Sequence, residues 1–166
     1  VLEFGVWPWP YRFAAPKGGR TAIFLPDGFV HLLEHVRPGR EPVHHYFYIE
    51  LDRGTETLDA VAEKVEAYRH HLQKGGFVTQ LGLPDAKPSD HPFRVLFIVD
   101  TKDSIQRRNN IAERLAQLGV QTHAPITTLS ELVSDPLGAI WMTPNAYKDW
   151  CEGGKSARVQ MARLFD

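Results

Sequence analysis

The sequence predicts an α/β fold, a central mixed β-sheet flanked by helices, and three observations lead to it. His44 to Leu51 (HHYFYIEL) is aromatic and β-rich, as a central strand should be. Leu58, Val61, Ala62, Val65, Tyr68 and Leu72 then recur at helical spacing until Gly75 and Gly76 stop the pattern. Phe93 to Val99 (FRVLFIV) is a continuous apolar run suited to a strand buried on both faces. Strand, helix and strand in this order imply a right-handed crossover.

The remaining elements follow in chain order. Val1 to Gly19 is rich in aromatic, Pro and Gly residues, and Trp7-Pro8-Trp9-Pro10 suits neither a helix interior nor a central strand. Thr21 to Leu25 and Phe29 to Leu33 are short apolar runs separated by Pro26-Asp27-Gly28, which predicts a hairpin with Asp27 at its tip or strand end. Thr55 or Thr57 can cap the helix after the central strand. Beyond Asp100 to Asp103, Ser104 is expected to cap a second helix carrying Ile105, Ile111, Ala112, Leu115 and Leu118, ended by Gly119. Toward the end, Val120 to Thr122 suits a short strand, Thr128 to Val133 a short helix, and Ala139 to Met142 a last strand before Pro144.

The 166 residues are 43% hydrophobic and 23% charged, material for one domain over 1–166 with its core at 20–119. The net charge of -1 supplies no global attraction to nucleic acid, so any such binding needs a local basic face or metal ions. Cys151 is the only cysteine, which excludes an intrachain disulfide and fits a reducing compartment. No apolar run reaches membrane-spanning length and no signal peptide is evident, so a cytoplasmic protein without membrane contact is expected. A start at Val1 within an apolar stretch reads as the C-terminal part of a longer protein.

Chemistry concentrates at two carboxylates. Asp27 and Glu50, expected at neighbouring strand ends, would repel without a cation between them. With the carbonyl of Leu51 they make an all-oxygen set suited to Mg²⁺ or Mn²⁺. Such an ion activates water and neutralises charge on a scissile phosphate, and Lys64 or Arg53 could assist it. Each residue also has a plainer reading. Pro-Asp-Gly is a common turn, Glu50 could pair with Arg20 or Arg53, Asp52 could cap a turn or pair with Arg53, and Lys64 could be a surface residue. His31, His35, His44, His45, His70 and His71 show no metal-binding motif such as H-E-x-x-H. Asp100, Lys102 and Asp103 end a strand where open α/β sheets often contact ligands. Arg107, Arg108 and Arg114 with Lys102, and Arg12, Lys17 and Arg20, are the available phosphate contacts, with solvated faces as the default.

The order of Pro26-Asp27-Gly28, a strand with Glu50-Leu51-Asp52-Arg53-Gly54-Thr55-Glu56, and a helix with Lys64 and Tyr68 resembles the core of the PD-(D/E)XK nuclease superfamily. Its wording is similar to the replication-relaxation family of plasmid and mobile-element proteins, across roughly Arg20 to Leu118. The resemblance implies a restriction-endonuclease-like fold and a DNA-processing role in plasmid replication, relaxation or mobilisation, with Mg²⁺-dependent phosphodiester hydrolysis as an endonuclease or nickase. It further implies catalytic Asp27, Glu50, Asp52 and Lys64, metal ligands Asp27, Glu50 and Leu51, and substrate contacts from Arg20, Arg53, Tyr68, Arg107 and Arg108. DNA and a relaxase or replication protein are the partners it implies, often with a winged-helix domain upstream. The sequence departs from the superfamily at Asp52, which holds the usual position of the motif lysine. Lys64, on the same helix face as Tyr68, is the substitute. The alternative is a catalytically inactive nuclease-like module that binds DNA or recruits a partner. A third reading is an interaction domain that docks through Trp7 to Tyr11.

Overall fold

The computed structural model describes residues 2–6, 12–35, 37, 39–120, 123–154 and 159–164. The segment Trp7 to Tyr11, residues 121–122 of the expected strand after Gly119, and Val1 lie outside the described residues. Seven strands and five helices are described: β1 (Leu2–Val6), β2 (Phe13–Lys17), β3 (Arg20–Phe24), β4 (Gly28–Glu34), β5 (Val43–Asp52), α1 (Leu58–Gln73), α2 (Gly76–Gln80), β6 (Phe93–Val99), α3 (Ser104–Gln117), β7 (Ile126–Thr128), α4 (Leu129–Ser134) and α5 (Pro144–Glu152). A single 3-10 turn occupies Pro88–Asp90. A five-stranded sheet has the order β1-β4-β5-β6-β7, and β2 and β3 form a separate two-stranded sheet. The large sheet is mixed, since β1·β4 and β4·β5 are antiparallel and β6·β7 is parallel. The expected α/β class with a mixed central sheet and flanking helices is therefore present.

One expected pairing is not. The runs on either side of Pro26-Asp27-Gly28 do not form a hairpin with each other. β3 pairs back onto β2, with Phe13 opposite Phe24 and Lys17 opposite Arg20, whereas β4 pairs with β1 and β5. The physical reason lies in Gly18 and Gly19, whose φ values of 55° and 79° make the two-residue turn whose twist suits a hairpin. Buried Pro26 and exposed Asp27 instead connect the two sheets. Ala139 to Met142 also forms no strand. Met142 and Trp141 make isolated bridges to Ile126 and Ala162, and the helix α5 that follows starts at Pro144 behind the Thr143 cap.

The chain divides into two compact units, Val1–Ile49 with Lys64–Val95, and Glu50–Glu63 with Leu96–Asp166. The first holds an aromatic core. Phe13 lies 4.9 Å from Tyr68 and 4.3 Å from His71, ring centre to ring centre, and Tyr48 lies 4.8 Å from Phe93. Tyr48 and Phe77 are fully buried. Full burial of one apolar side chain of this size stabilises by about 1.5–3 kcal/mol. The polar atoms among these rings are satisfied through Gln80. Its Oε1 accepts from the Tyr48 hydroxyl and faces His71 Nε2, both at 3.1 Å, while its Nε2 donates to the Arg12 carbonyl at 2.8 Å. Burial holds His71 below the usual histidine range, the Gln80 contact opposing this and His70 adding to it. A neutral His71 donates through Nε2 and suits the stack on Phe13.

In the second unit β6 and β7 lie in register, Phe97 beside Ile126 and Val99 beside Thr128. Buried Ile111, Ala112 and Leu115 form the apolar stripe of α3. Ser104 does not cap this helix. Asp103 is the cap position, and the Ser104 hydroxyl instead accepts from the Thr101 N–H and donates to its carbonyl. Thr57 does cap α1, accepting from the Ala60 N–H at 3.1 Å.

The closeness of Gly76 to His71 yields a test of the first unit. A Cβ on Gly76 would collide with the His71 ring at Nδ1. Gly76→Ala should therefore lower stability by about 1–3 kcal/mol, the usual cost of overpacking, in urea denaturation. An unchanged midpoint would show that the ring is not held there.

Candidate functional site

The candidate carboxylates lie along the start of β4 and the end of β5. Asp27 is exposed, just before β4, and its N–H donates to the Ile49 carbonyl at 3.0 Å. That bond starts the antiparallel ladder, in which Gly28 pairs with Ile49. Glu50 is the next residue along β5 and is 3% exposed, so its carboxylate is withdrawn from water. Leu51 is half-buried.

Asp52, at the end of β5, is 5% exposed and fully engaged. Arg107 of α3 reaches it with Nε to Oδ2 at 2.7 Å and Nη2 to Oδ1 at 3.2 Å. The Gly54 N–H also donates to Oδ1 at 3.0 Å, and the Asp52 carbonyl accepts from the Asp100 N–H at 2.9 Å. Arg107 completes its set by donating to the Glu56 carbonyl at 2.7 Å. One residue thus closes the turn after β5, where Gly54 has a φ of 74°, and ties it to α3. A bidentate Arg–carboxylate pair of this geometry is strong.

Arg108 faces the other way and is 7% exposed. Its Nη1 donates to both carboxylate oxygens of Glu131 at 2.7 Å. Glu131 is the third residue of α4 and closes a capping box with Thr128. Burial pushes its carboxyl up, but the Arg108 and Thr128 hydrogen bonds outweigh this and hold it below the usual glutamate range. Arg107 and Arg108 are thus both committed to internal carboxylates. Arg20 and Arg53 are exposed, at the β2–β3 turn and after β5. Lys64 is half-buried on α1, and Tyr68, one turn on, is 2% exposed with its ring in the aromatic core. The ring of Tyr68 is packed, not presented.

Sequence reasoning missed two features. The partner of Asp52 is Arg107, not the adjacent Arg53, and nothing local in the sequence marks a contact 55 residues away. Glu131 was readable, because Thr128-x-x-Glu131 is the pattern of a capping box. A groove lies beyond β6. Asp100, Thr101, Lys102, Asp103, Ser104 and Leu129 are among its lining residues, and its volume is about 1000 Å³. Among the described residues no group of three or more His, Cys, Asp or Glu side chains is arranged to hold a metal ion. No helix among them is long and apolar enough to cross a membrane.

The fold and these side chains define a mixed α/β domain with buried carboxylates at the end of a central strand. Residues 3–83 match the model of the family described as Replication-relaxation, just under half of the chain, and this match supports that family. No curated protein and no solved structure matches the chain.

The Asp52–Arg107 pair gives a prediction for the second unit. Arg107→Ala strands a buried carboxylate and should cost about 3–5 kcal/mol. Asp52→Asn in the same chain should recover much of that loss, seen in a double-mutant cycle of denaturation free energies. Additive effects would mean that the pair carries no coupling.

Proposed function

We propose that this chain is a DNA-processing domain of the replication-relaxation kind, with a PD-(D/E)XK-like core in which Asp27, Glu50 and the Leu51 carbonyl hold Mg²⁺ or Mn²⁺. The observation that carries this reading is the strand register that fixes Asp27 on Ile49, immediately before the buried Glu50. The family match covers Asp27, Glu50, Asp52, Lys64 and Tyr68 together. Carboxylates and a backbone carbonyl at strand ends are the all-oxygen set that a hard divalent ion favours. When bound, the ion would lower the pKa of a coordinated water and offset charge on a scissile phosphate. Asp27 and Glu50 would fix its position, Lys64 would orient the water or the phosphate oxygens, and exposed Arg20 and Arg53 would contact the DNA backbone. In plasmid replication or mobilisation such a domain would nick or cut DNA beside a relaxase or replication protein.

A second reading has its own observation. Asp52 occupies the usual lysine position, and its carboxylate is held by Arg107. On this reading the domain binds DNA or a partner and does not hydrolyse it.

One experiment separates the two. Supercoiled plasmid is incubated with the chain and Mn²⁺, and DNA binding is measured across a salt series. The enzymatic reading expects nicking that falls by about 100-fold or more in Asp27→Ala and Glu50→Ala, as loss of one catalytic electrostatic group usually costs. Binding without nicking in the unaltered chain would overturn it in favour of the module. Under either reading, Arg20→Glu with Arg53→Glu should weaken binding and reduce the salt slope by about one unit per lost phosphate contact. Neither nicking nor binding would remove both.

A further inference from the structure

A second donor group lies in the first unit, on the β4–β5 ladder. The register pairs His31 with Tyr46 and Leu33 with His44, so His31, His44 and Tyr46 project from one face of the two strands. His31 Nε2 lies 2.9 Å from His44 Nδ1, and the Tyr46 hydroxyl lies 3.1 Å from the same atom. The two imidazoles stack at 5.0 Å and His31 stacks on Tyr46 at 4.6 Å, which sets both ring planes. His44 is exposed and His31 half-buried, so the cluster opens to solvent where the aromatic face ends.

We propose that His31 Nε2, His44 Nδ1 and the Tyr46 hydroxyl form a binding site for a borderline divalent cation such as Zn²⁺. Imidazole nitrogens favour ions of this kind over Mg²⁺. Donors on a tetrahedral ion with bonds of about 2.0–2.1 Å stand roughly 3.3 Å apart, so the observed spacings need to open by only a few tenths of an ångström. The ion would displace both contacts at His44 Nδ1, that with His31 and that with the Tyr46 hydroxyl. It would form two metal–nitrogen bonds and one bond to the Tyr46 oxygen, whose proton turns to or passes to water, and water would complete the shell. Neutral imidazole is the ligating form. Burial, with the neighbouring His44 adding to it, already holds His31 below the usual histidine range. The site is chemically distinct from the oxygen set of Asp27 and Glu50, and it stands or falls independently of that reading.

The test is calorimetric titration of Zn²⁺ into the metal-free chain, with Co²⁺ as an optical probe of nitrogen coordination. The expected result is one equivalent bound in the unaltered chain. His31→Ala and His44→Ala should each weaken it by about tenfold or more, since even outer-shell changes commonly cost 10–100-fold. Tyr46→Phe should weaken it less, and Asp27→Ala should leave it unchanged. His44→Gln keeps a polar side chain at the same strand position, so its loss of binding, with an unaltered melting curve, excludes misfolding as the cause. Equal Zn²⁺ uptake by the unaltered chain and the His31→Ala/His44→Ala double variant, or no uptake by either, would overturn the proposal.

Discussion

Burying charge at the end of β5 is the constraint on which the second unit turns. Asp52 is almost wholly withdrawn from water, and an isolated carboxylate there would be costly. Arg107 answers with two hydrogen bonds, and the Gly54 N–H satisfies the carboxylate further. The same guanidinium holds the Glu56 carbonyl, so the turn from β5 into α1 and the first turns of α3 are positioned by one side chain. Arg108 repeats the device one residue later by pinning α4 through Glu131. Two consecutive arginines thus tie α3 to two elements that are distant in sequence. The pairs do not merely decorate the surface, because each has a member with little exposure.

The first unit is organised by different physics. Rings from β2, β4, β5, α1, α2 and β6 interlock, and the polar groups caught among them are routed to Gln80. Gln80 is suited to this because its amide both accepts and donates, meeting Tyr48 and His71 on one atom and a backbone carbonyl on the other. Gly76 is required beside His71 for lack of space rather than for backbone freedom. The exposed end of the same sheet face carries the His31, His44 and Tyr46 group.

Much of the architecture was legible where a single periodicity governs a long segment. β5, α1, β6 and α3 were readable because alternation, helical recurrence or an unbroken apolar run left few alternatives. The β3–β4 hairpin was misread because Pro-Asp-Gly is a turn sequence in many contexts, and Gly18-Gly19 competed for the same strand. β7 is only three residues long and its parallel pairing with β6 is non-local, so nothing in its own composition announces it. At the site, Asp27 and Glu50 were identifiable as residue types at strand ends. The partners of Asp52 and Arg108 were not, since ion pairs across 55 and 23 residues depend on how helices pack. Tyr68 shows the limit of face arguments: spacing allowed it both to the apolar stripe of α1 and to a face shared with Lys64, and its 2% exposure puts the ring with the stripe.

The metal assignment at β4 and β5 is tested most directly by anomalous diffraction from crystals soaked in Mn²⁺. It predicts one ion with oxygens of both Asp27 and Glu50 at the inner-sphere distance of about 2.0–2.6 Å that hard cations adopt. Full occupancy of Mn²⁺ elsewhere, with both carboxylates lacking an ion, would contradict it.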